Sequence, residues 1–513
     1  MGESYLPTHN PNCATEFSPF SRGGSPGCFT RAGGILPLTL RNILIFIIIG
    51  LLIRAFSRRE GLRAWLLYLV SLLAIYWLQP LSPVRNLDFW FPTATLGLAA
   101  LGWVLTTPPD QRNGRANAPA FGALAGVVLL LALTRFLADD GILTAARPPQ
   151  FEQVLIALGL ILLAAAGLGR LRVPASALWA GIAVLIAVLV VLKLPPLATA
   201  ASVGLRALMD QGTARAAPID LRWLGFSYVA FRLIHTLRDR QSGRLPAVNF
   251  REYLTYALFY PAFTAGPIDR VERFIKDLRK PLGWDPNELG LAGQRLALGL
   301  LKKFVIADGL ALFALNASSA VQTSSAGWTW LLVYAYALQI YFDFSGYTDL
   351  AIGLGRLVGV ALPENFNAPY LKPNLTQFWN NWHMSLTLWF RGYYFNPLTR
   401  ALRSASRPVS PVVVLFITQV TTMVLIGLWH GVTWNFVLWG AWHGVGMLVQ
   451  NRFTDWMKPR YAQLSGQPRL RGGITAFTTL LTFHYVALGW VFFALPDPAL
   501  SLRVFARLFG GGA

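Results

Sequence analysis

The feature that most limits this chain is a succession of apolar stretches, each about as long as a bilayer is thick. A helix needs about 20 apolar residues to cross about 30 Å of hydrocarbon. Such stretches fall near 36–53, 64–82, 89–106, 120–138, 154–170, 176–193 and 222–236. Others follow near 252–268, 293–316, 327–345, 409–430, 434–450 and 474–495. Lipid offers no partner to backbone N–H and C=O groups, so a crossing segment must satisfy them internally. The sequence therefore predicts an all-α polytopic membrane protein with about 11–13 membrane segments, re-entrant elements included.

Composition points the same way. Hydrophobic residues make up 54% and charged residues 13% of the chain, against about 25% charged in a soluble protein. Disorder, coiled coil, collagen and a disulfide scaffold are excluded. The formal charge of +21 would suggest nucleic-acid binding in a soluble protein. Here the basic residues sit in short clusters between apolar spans, the pattern of cytoplasmic loops, and no nucleic-acid partner is expected. The other use of the charge is attraction of anionic lipid headgroups or of an anionic donor.

Residues 1–35 read as a flexible polar tail; Cys13 and Cys28 both lie in it and staple nothing in the core. Residues 36–220 form an N-terminal transmembrane region without an assigned role, 221–495 a second membrane region that holds five of the histidines, and 496–513 a C-terminal tail. Arg54, Arg58, Arg59 and Arg63 follow the first span, Arg112 and Arg115 the third, Arg170 and Arg172 the fifth, and Arg238, Arg240, Arg244 and Arg251 the seventh. Odd spans thus exit to the cytoplasm. The alternation breaks at 252–268, because a full crossing there would place Arg270, Arg273, Lys276, Arg279 and Lys280 outside. That segment holds Pro261 and Gly266-Pro267, which break a helix. A re-entrant element that returns the basic run to the cytoplasm resolves the conflict.

Six histidines occur. His9 lies in the tail; the other five lie in or beside apolar segments, where an ionisable group is costly and marks a functional candidate. His430, in Gly427-Leu428-Trp429-His430-Gly431, is flanked by small residues that let a substrate or a second backbone approach closely. A neutral imidazole there can take a proton from a hydroxyl or amine nucleophile. His383 sits in Phe378-Trp379-Asn380-Asn381-Trp382-His383-Met384-Ser385-Leu386. Two readings stay open for it: an interfacial helix with its Trp side chains at headgroup level, or a second catalytic imidazole beside the donor. His443 lies 13 positions beyond His430, about 140° away on one unbroken helix, so both reach one cavity only if 431–435 turns the chain. His443, His235 and His484 read as structural.

The other polar candidates are Trp429, Trp382 and Asn435, whose N–H groups could hold a carbonyl oxygen as negative charge develops on it. Asp343, a carboxylate within an aromatic stretch, is a further substrate-binding candidate, its other reading being a structural clamp with an arginine such as Arg356. Lys302 and Lys303 interrupt an apolar run and read as snorkelling to the interface, or as contacts to the phosphates of a donor. There is no phosphate-binding glycine loop, no zinc-ligand helix and no serine nucleophile elbow, so no metal or bound cofactor is expected.

Several uncommon words stand in order along the chain: Ala265-Gly266-Pro267-Ile268, Lys302-Lys303-Phe304-Val305-Ile306-Ala307-Asp308, Phe342-Asp343-Phe344-Ser345-Gly346-Tyr347-Thr348-Asp349, Pro363-Glu364-Asn365-Phe366-Asn367, the stretch around His383, and the stretch around His430. Together they resemble the membrane-bound O-acyltransferase family over roughly 222–495, above all its bacterial branch, which acetylates alginate or D-alanylates teichoic acid. The resemblance implies tilted helices around a funnel, an acyl thioester donor (acetyl-CoA or an acyl carrier) on the cytoplasmic side, and an acceptor arriving from the other side. The family's essential histidine falls on His430, and its second conserved polar position on His383. The implied function is O-acylation, with a short acyl group such as acetyl, of an exported polysaccharide at the bacterial inner membrane, directly or through an extracytoplasmic partner. A lipid or teichoic-acid-like acceptor is the alternative. A transporter of an acylated glycan or lipid would also suit membrane histidines and a re-entrant element.

Overall fold

The computed structural model describes residues 39–57, 61–112, 114–169, 174–407, 409–463 and 467–511. The tail 1–35, with His9, Cys13 and Cys28, lies outside the described residues. Among those described, the regular elements are helices, accompanied by one isolated antiparallel bridge between Phe366 and Trp382.

The N-terminal helices are α1 (Leu40–Phe56), α2 (Leu62–Leu78), α3 (Leu87–Thr106), α4 (Gly114–Leu133), α5 (Phe151–Gly169), α6 (Ala175–Lys193) and α7 (Pro195–Leu208). Of these, α3, α4 and α6 are long and apolar enough to cross a membrane. The hydropathy pattern does not reveal α7. It is amphipathic and turns Arg206 and Ser202 inward to the buried Asp220, at 2.7 and 2.6 Å. Two guanidiniums tie this region to the rest. Arg54 donates to the carbonyls of Gly283, Arg356 and Leu357, and Arg63 to those of Leu278, Lys280, Val358 and Gly359.

The chain continues as α8 (Phe226–Gln241), the short α9 (Phe250–Leu258) and α10 (Val271–Arg279). Between α9 and α10 the helix is broken at Pro261 and again through Gly266-Pro267. Buried Arg232 satisfies carbonyls stranded by that break, donating to Ala257 at 3.0 Å and Ala262 at 2.6 Å. Arg279, the last residue of α10, bonds both carboxylate oxygens of Glu252 in the first turn of α9, at 2.7 and 2.8 Å. The chain therefore goes in along α9 and comes back along α10 to the end where it entered.

Next come α11 (Pro286–Leu300), which runs on as a π-helical segment Leu301–Ala307, and the 32-residue α12 (Ala326–Leu357). They cross at Gly299 and Gly346. A Cβ on Gly346 would meet the Lys303 nitrogen at 2.8 Å, and one on Gly299 the Gly346 carbonyl at 2.8 Å, so the backbones touch where only glycine fits. Two short helices, α13 (Leu375–Asn381) and α14 (Met384–Phe390), flank His383. The C-terminal helices are α15 (Pro411–His430), α16 (Trp434–Gln463), α17 (Pro468–Ala494) and α18 (Pro498–Leu508); α15 and α17 are long and apolar enough to cross a membrane. The reading of 496–513 as a tail needs correction, because α18 is a packed helix with Leu500, Ser501, Val504 and Leu508 buried. Its 11 residues are too few to register as a span.

Candidate active site

His430 is the last residue of α15, and the turn after it sends α16 back alongside. The two helices lie close because glycines line their seam. A Cβ on Gly427 would meet the Phe436 carbonyl at 2.2 Å, one on Gly440 the Met423 carbonyl at 2.5 Å, and one on Gly444 the Val420 Cα at 2.8 Å. That contact fixes the end of α15, and with it the imidazole. The His430 ring lies 4.6 Å from the Trp429 ring, 4.8 Å from Phe493 and 5.8 Å from Trp439.

His383 is positioned by a different device. It lies between α13 and α14 with φ at 42°, in the left-handed region, which a non-glycine residue adopts only when its surroundings impose it. The imposing partner is Asn365. Its carbonyl accepts from the Met384 amide at 3.0 Å, and its Oδ1 accepts from the Ser385 amide at 3.1 Å and hydroxyl at 2.6 Å. The Ser385 oxygen in turn accepts from the Ile268 amide at 3.0 Å. The Phe366–Trp382 bridge and the Asn367 amide, which donates to the Asn381 carbonyl, complete the pairing. Three sequence words far apart in the chain thus meet around one imidazole.

His383 and His430 line one narrow cavity, walled by Phe344, Trp382, Trp439 and Phe493. His383 is 2% exposed, and neither of its ring nitrogens has a hydrogen-bond partner. The indole nitrogens of Trp379, Trp429 and Trp439 are likewise buried without partners. Buried polar atoms are nearly always satisfied in a folded protein; His383, Trp379 and Trp439 leave theirs open at this cavity, which makes it the candidate site for polar atoms of a ligand, and His443, outside the lining, leaves both ring nitrogens open as well.

The remaining predicted residues separate. Trp382 lines the cavity, and Trp429 touches both imidazoles, at 6.3 Å from His383. Asn435 does not serve as an oxyanion donor: its amide nitrogen is committed to the Leu495 carbonyl at 2.7 Å and the Ser501 hydroxyl at 3.1 Å, holding α18 in place. Asp343 pairs with Lys303 at 2.5 Å, not with Arg356, which pairs with Glu288 at 2.9 Å. The expected clamp fails on geometry, because Asp343 and Arg356 share the unbroken α12 and stand about 20 Å apart along its axis. Lys302 turns to a carboxylate of the neighbouring helix. It bonds Asp349 at 2.6 Å, and Asp349 also holds Arg295 at 2.5 Å.

His443 lies outside the cavity lining, with its ring 5.2 Å from Trp379 and 5.1 Å from Trp439. His235 pairs with Asp239 at 2.9 Å, and His484 bonds the Leu480 carbonyl of its own helix through Nδ1 at 2.7 Å. Sequence reasoning missed Asn365 and Ser385 as the frame of His383, although both stand inside words it had singled out. It also missed Lys193, whose ammonium lies over the Trp429 ring, 5.7 Å from the centroid. The only signal for Lys193 was a single cation closing an apolar run.

The chain is similar to known proteins over more than half of its length. The model of the membrane-bound O-acyltransferase family matches residues 183–488. A teichoic acid D-alanyltransferase of Bacillus subtilis is 32% identical over 279 residues, which cover 53% of this chain and 69% of the relative. A probable alginate O-acetylase of Pseudomonas aeruginosa is 33% identical over 293 residues, 56% of this chain and 52% of that one. A peptidoglycan O-acetyltransferase of Helicobacter pylori is 30% identical over 266 residues, covering 51% and 47%. The chain thus spans about two thirds of the first relative's length and about half of the other two.

Proposed function

This chain belongs to the membrane-bound O-acyltransferase family, and we propose that it transfers an acetyl group from a cytoplasmic thioester to hydroxyls of an exported polysaccharide at the bacterial inner membrane. The observation that carries this reading is the aromatic cavity in which His383 and His430 meet, with the His383 nitrogens unclaimed by the protein. The names of the relatives support the acceptor class: two of the three act by O-acetylation, on alginate and on peptidoglycan.

In this mechanism the His430 imidazole takes the proton of the acceptor hydroxyl as its oxygen attacks the thioester carbonyl. The C–O bond forms, the tetrahedral intermediate collapses, the C–S bond breaks, and the thiolate leaves with the proton returned by His430. His383 orients the donor or shares that proton. The indole N–H groups of Trp429 and Trp382, together with those of Trp379 and Trp439 that the protein leaves unpartnered, are donors available to the carbonyl oxygen as it gains charge. The acetyl group reaches the polymer directly or through an extracytoplasmic transfer protein.

The test is transfer from labelled acetyl-CoA by purified protein in nanodiscs, with a mixture of glycan acceptors and His430→Ala alongside. Labelled product or thioester hydrolysis that vanishes in the variant supports both the activity and the base. Turnover that survives in His430→Ala removes the histidine from the mechanism. A second reading, D-alanyl transfer to a teichoic-acid-like polymer, is favoured by the larger share of the Bacillus subtilis relative that is matched. A D-alanyl carrier protein as donor, in place of acetyl-CoA, separates the two.

A further inference from the structure

Lys193 is the last residue of α6, stopped there by the Leu194-Pro195-Pro196 that follows. A cation at a helix C-terminus gains from the helix dipole, and a lysine closing an apolar span ordinarily reaches for the interface. This one points inward instead, over the face of Trp429 at 5.7 Å. Trp429 is also the ring nearest His430, at 4.6 Å, and touches His383 at 6.3 Å. Among the described residues no carboxylate pairs with the Lys193 ammonium. Asp220 is engaged by Arg206 and Ser202, Asp88 accepts from the Ala146 amide, and Asp497 caps α18.

The direction of the helices assigns this cation a side. In sequence, the span of α6 follows the basic stretch with Arg170 and Arg172, and that of α15 the basic stretch with Arg400, Arg403 and Arg407, whose first two arginines close a short helix, Asn396–Arg403. Lys193 and His430 therefore end spans that both leave basic, cytoplasmic-type stretches, and they lie together at the far end, where an external acceptor arrives.

We propose that Lys193 binds an anionic oxygen group of the acceptor polymer, a carboxylate or a phosphate, and so presents a neighbouring hydroxyl to His430. The proposal rests on the acyltransfer reading above and assigns a substrate contact to the N-terminal helices. A charged contact of this kind is worth on the order of tenfold in binding.

The experiment compares wild type, Lys193→Gln, Lys193→Arg and the exposed-site control Arg215→Gln in phosphatidylcholine nanodiscs. Acceptors are polymannuronate (carboxylate), polyglycerol phosphate (phosphate) and neutral dextran, with labelled acetyl-CoA as donor; equilibrium binding of each fluorescent polymer is measured in parallel. The expected result is a fall of about tenfold in binding and in kcat/KM for one anionic polymer relative to dextran in Lys193→Gln, carried by KM. Lys193→Arg restores it, and Arg215→Gln leaves it unchanged. Which polymer responds identifies the anion. An unchanged anionic-to-neutral ratio overturns the proposal. So does a variant whose only change, in a parallel set of nanodiscs that also contain phosphatidylglycerol, is lost retention of that lipid, since Lys193 would then be a lipid contact. If wild type acylates no polymer, the acyltransfer reading fails on its own, and the binding arm still decides Lys193.

Discussion

The boundary between the N-terminal helices and the core, and the cavity inside the core, bury polar side chains to opposite ends. At the boundary the Arg63 guanidinium is 6% exposed, and all three of its nitrogens donate to backbone carbonyls of the loops after α10 and α12. In the cavity His383 is buried more deeply still, and its ring nitrogens meet nothing. A buried donor that is fully met stabilises the fold; one left unmet costs stability unless a ligand or water meets it. The contrast separates residues whose loss should unfold the protein from residues whose loss should silence it.

The sharpest way to break that contrast is His430→Gln, which keeps the size of the side chain while removing its ability to take a proton. Turnover should fall by about 10²–10⁴, while detergent-solubilised protein melts as wild type does. A large loss of melting temperature with little change in turnover per folded molecule would reverse the assignment. Next in size is Arg63→Leu, the opposite case. It leaves carbonyls of Lys280, Val358 and Gly359 without their donor and should destabilise the fold by about 3 kcal/mol. Turnover per folded molecule, measured at a temperature where the variant is still folded, should stay within about twofold.

Asn365→Ala sharpens the comparison, because this side chain stands behind the cavity wall and holds the backbone of His383 through its Oδ1, while its own amide nitrogen is buried without a partner. Loss of its bonds to the Ser385 amide and hydroxyl should destabilise by about 1–3 kcal/mol. It should also lower turnover, because the strained backbone at His383 loses its frame. A variant that melts early but turns over at the wild-type rate would show that His383 needs no such frame.

What could be read from the sequence follows the same division. The all-α membrane fold was legible because lipid leaves a crossing segment few options, and the break at Pro261 and Gly266-Pro267 because proline removes a donor and clashes with the preceding turn. His430 stood out because an imidazole between glycines at the end of an apolar run has no ordinary reason to be there. The partners of polar groups were not legible. Asp343 finds Lys303 and not Arg356 because the crossing of α11 and α12 at Gly299 and Gly346 decides which side chains meet. Asn435 reads as a site residue by its position near His430, yet Ser501 and Leu495 claim its amide. α18 escaped notice because it is short and amphipathic, and α7 for the same reason.

Lys302 gives the smallest expected effect and the finest test. It bonds Asp349, which keeps a second cation in Arg295, and its side chain is 23% exposed. Asp349 is only 4% exposed but keeps Arg295 as its second cation, and a glutamine still offers an N–H donor, so loss of the Lys302 charge should cost about 1–2 kcal/mol. Lys302→Gln should therefore shift the melting temperature slightly and leave both kcat and the KM for the thioester donor unchanged. A raised donor KM would mean that Lys302 leaves Asp349 for the donor's phosphates during turnover. The cluster on α11 and α12 would then belong with the cavity, among the groups held ready for a ligand, and not with the boundary.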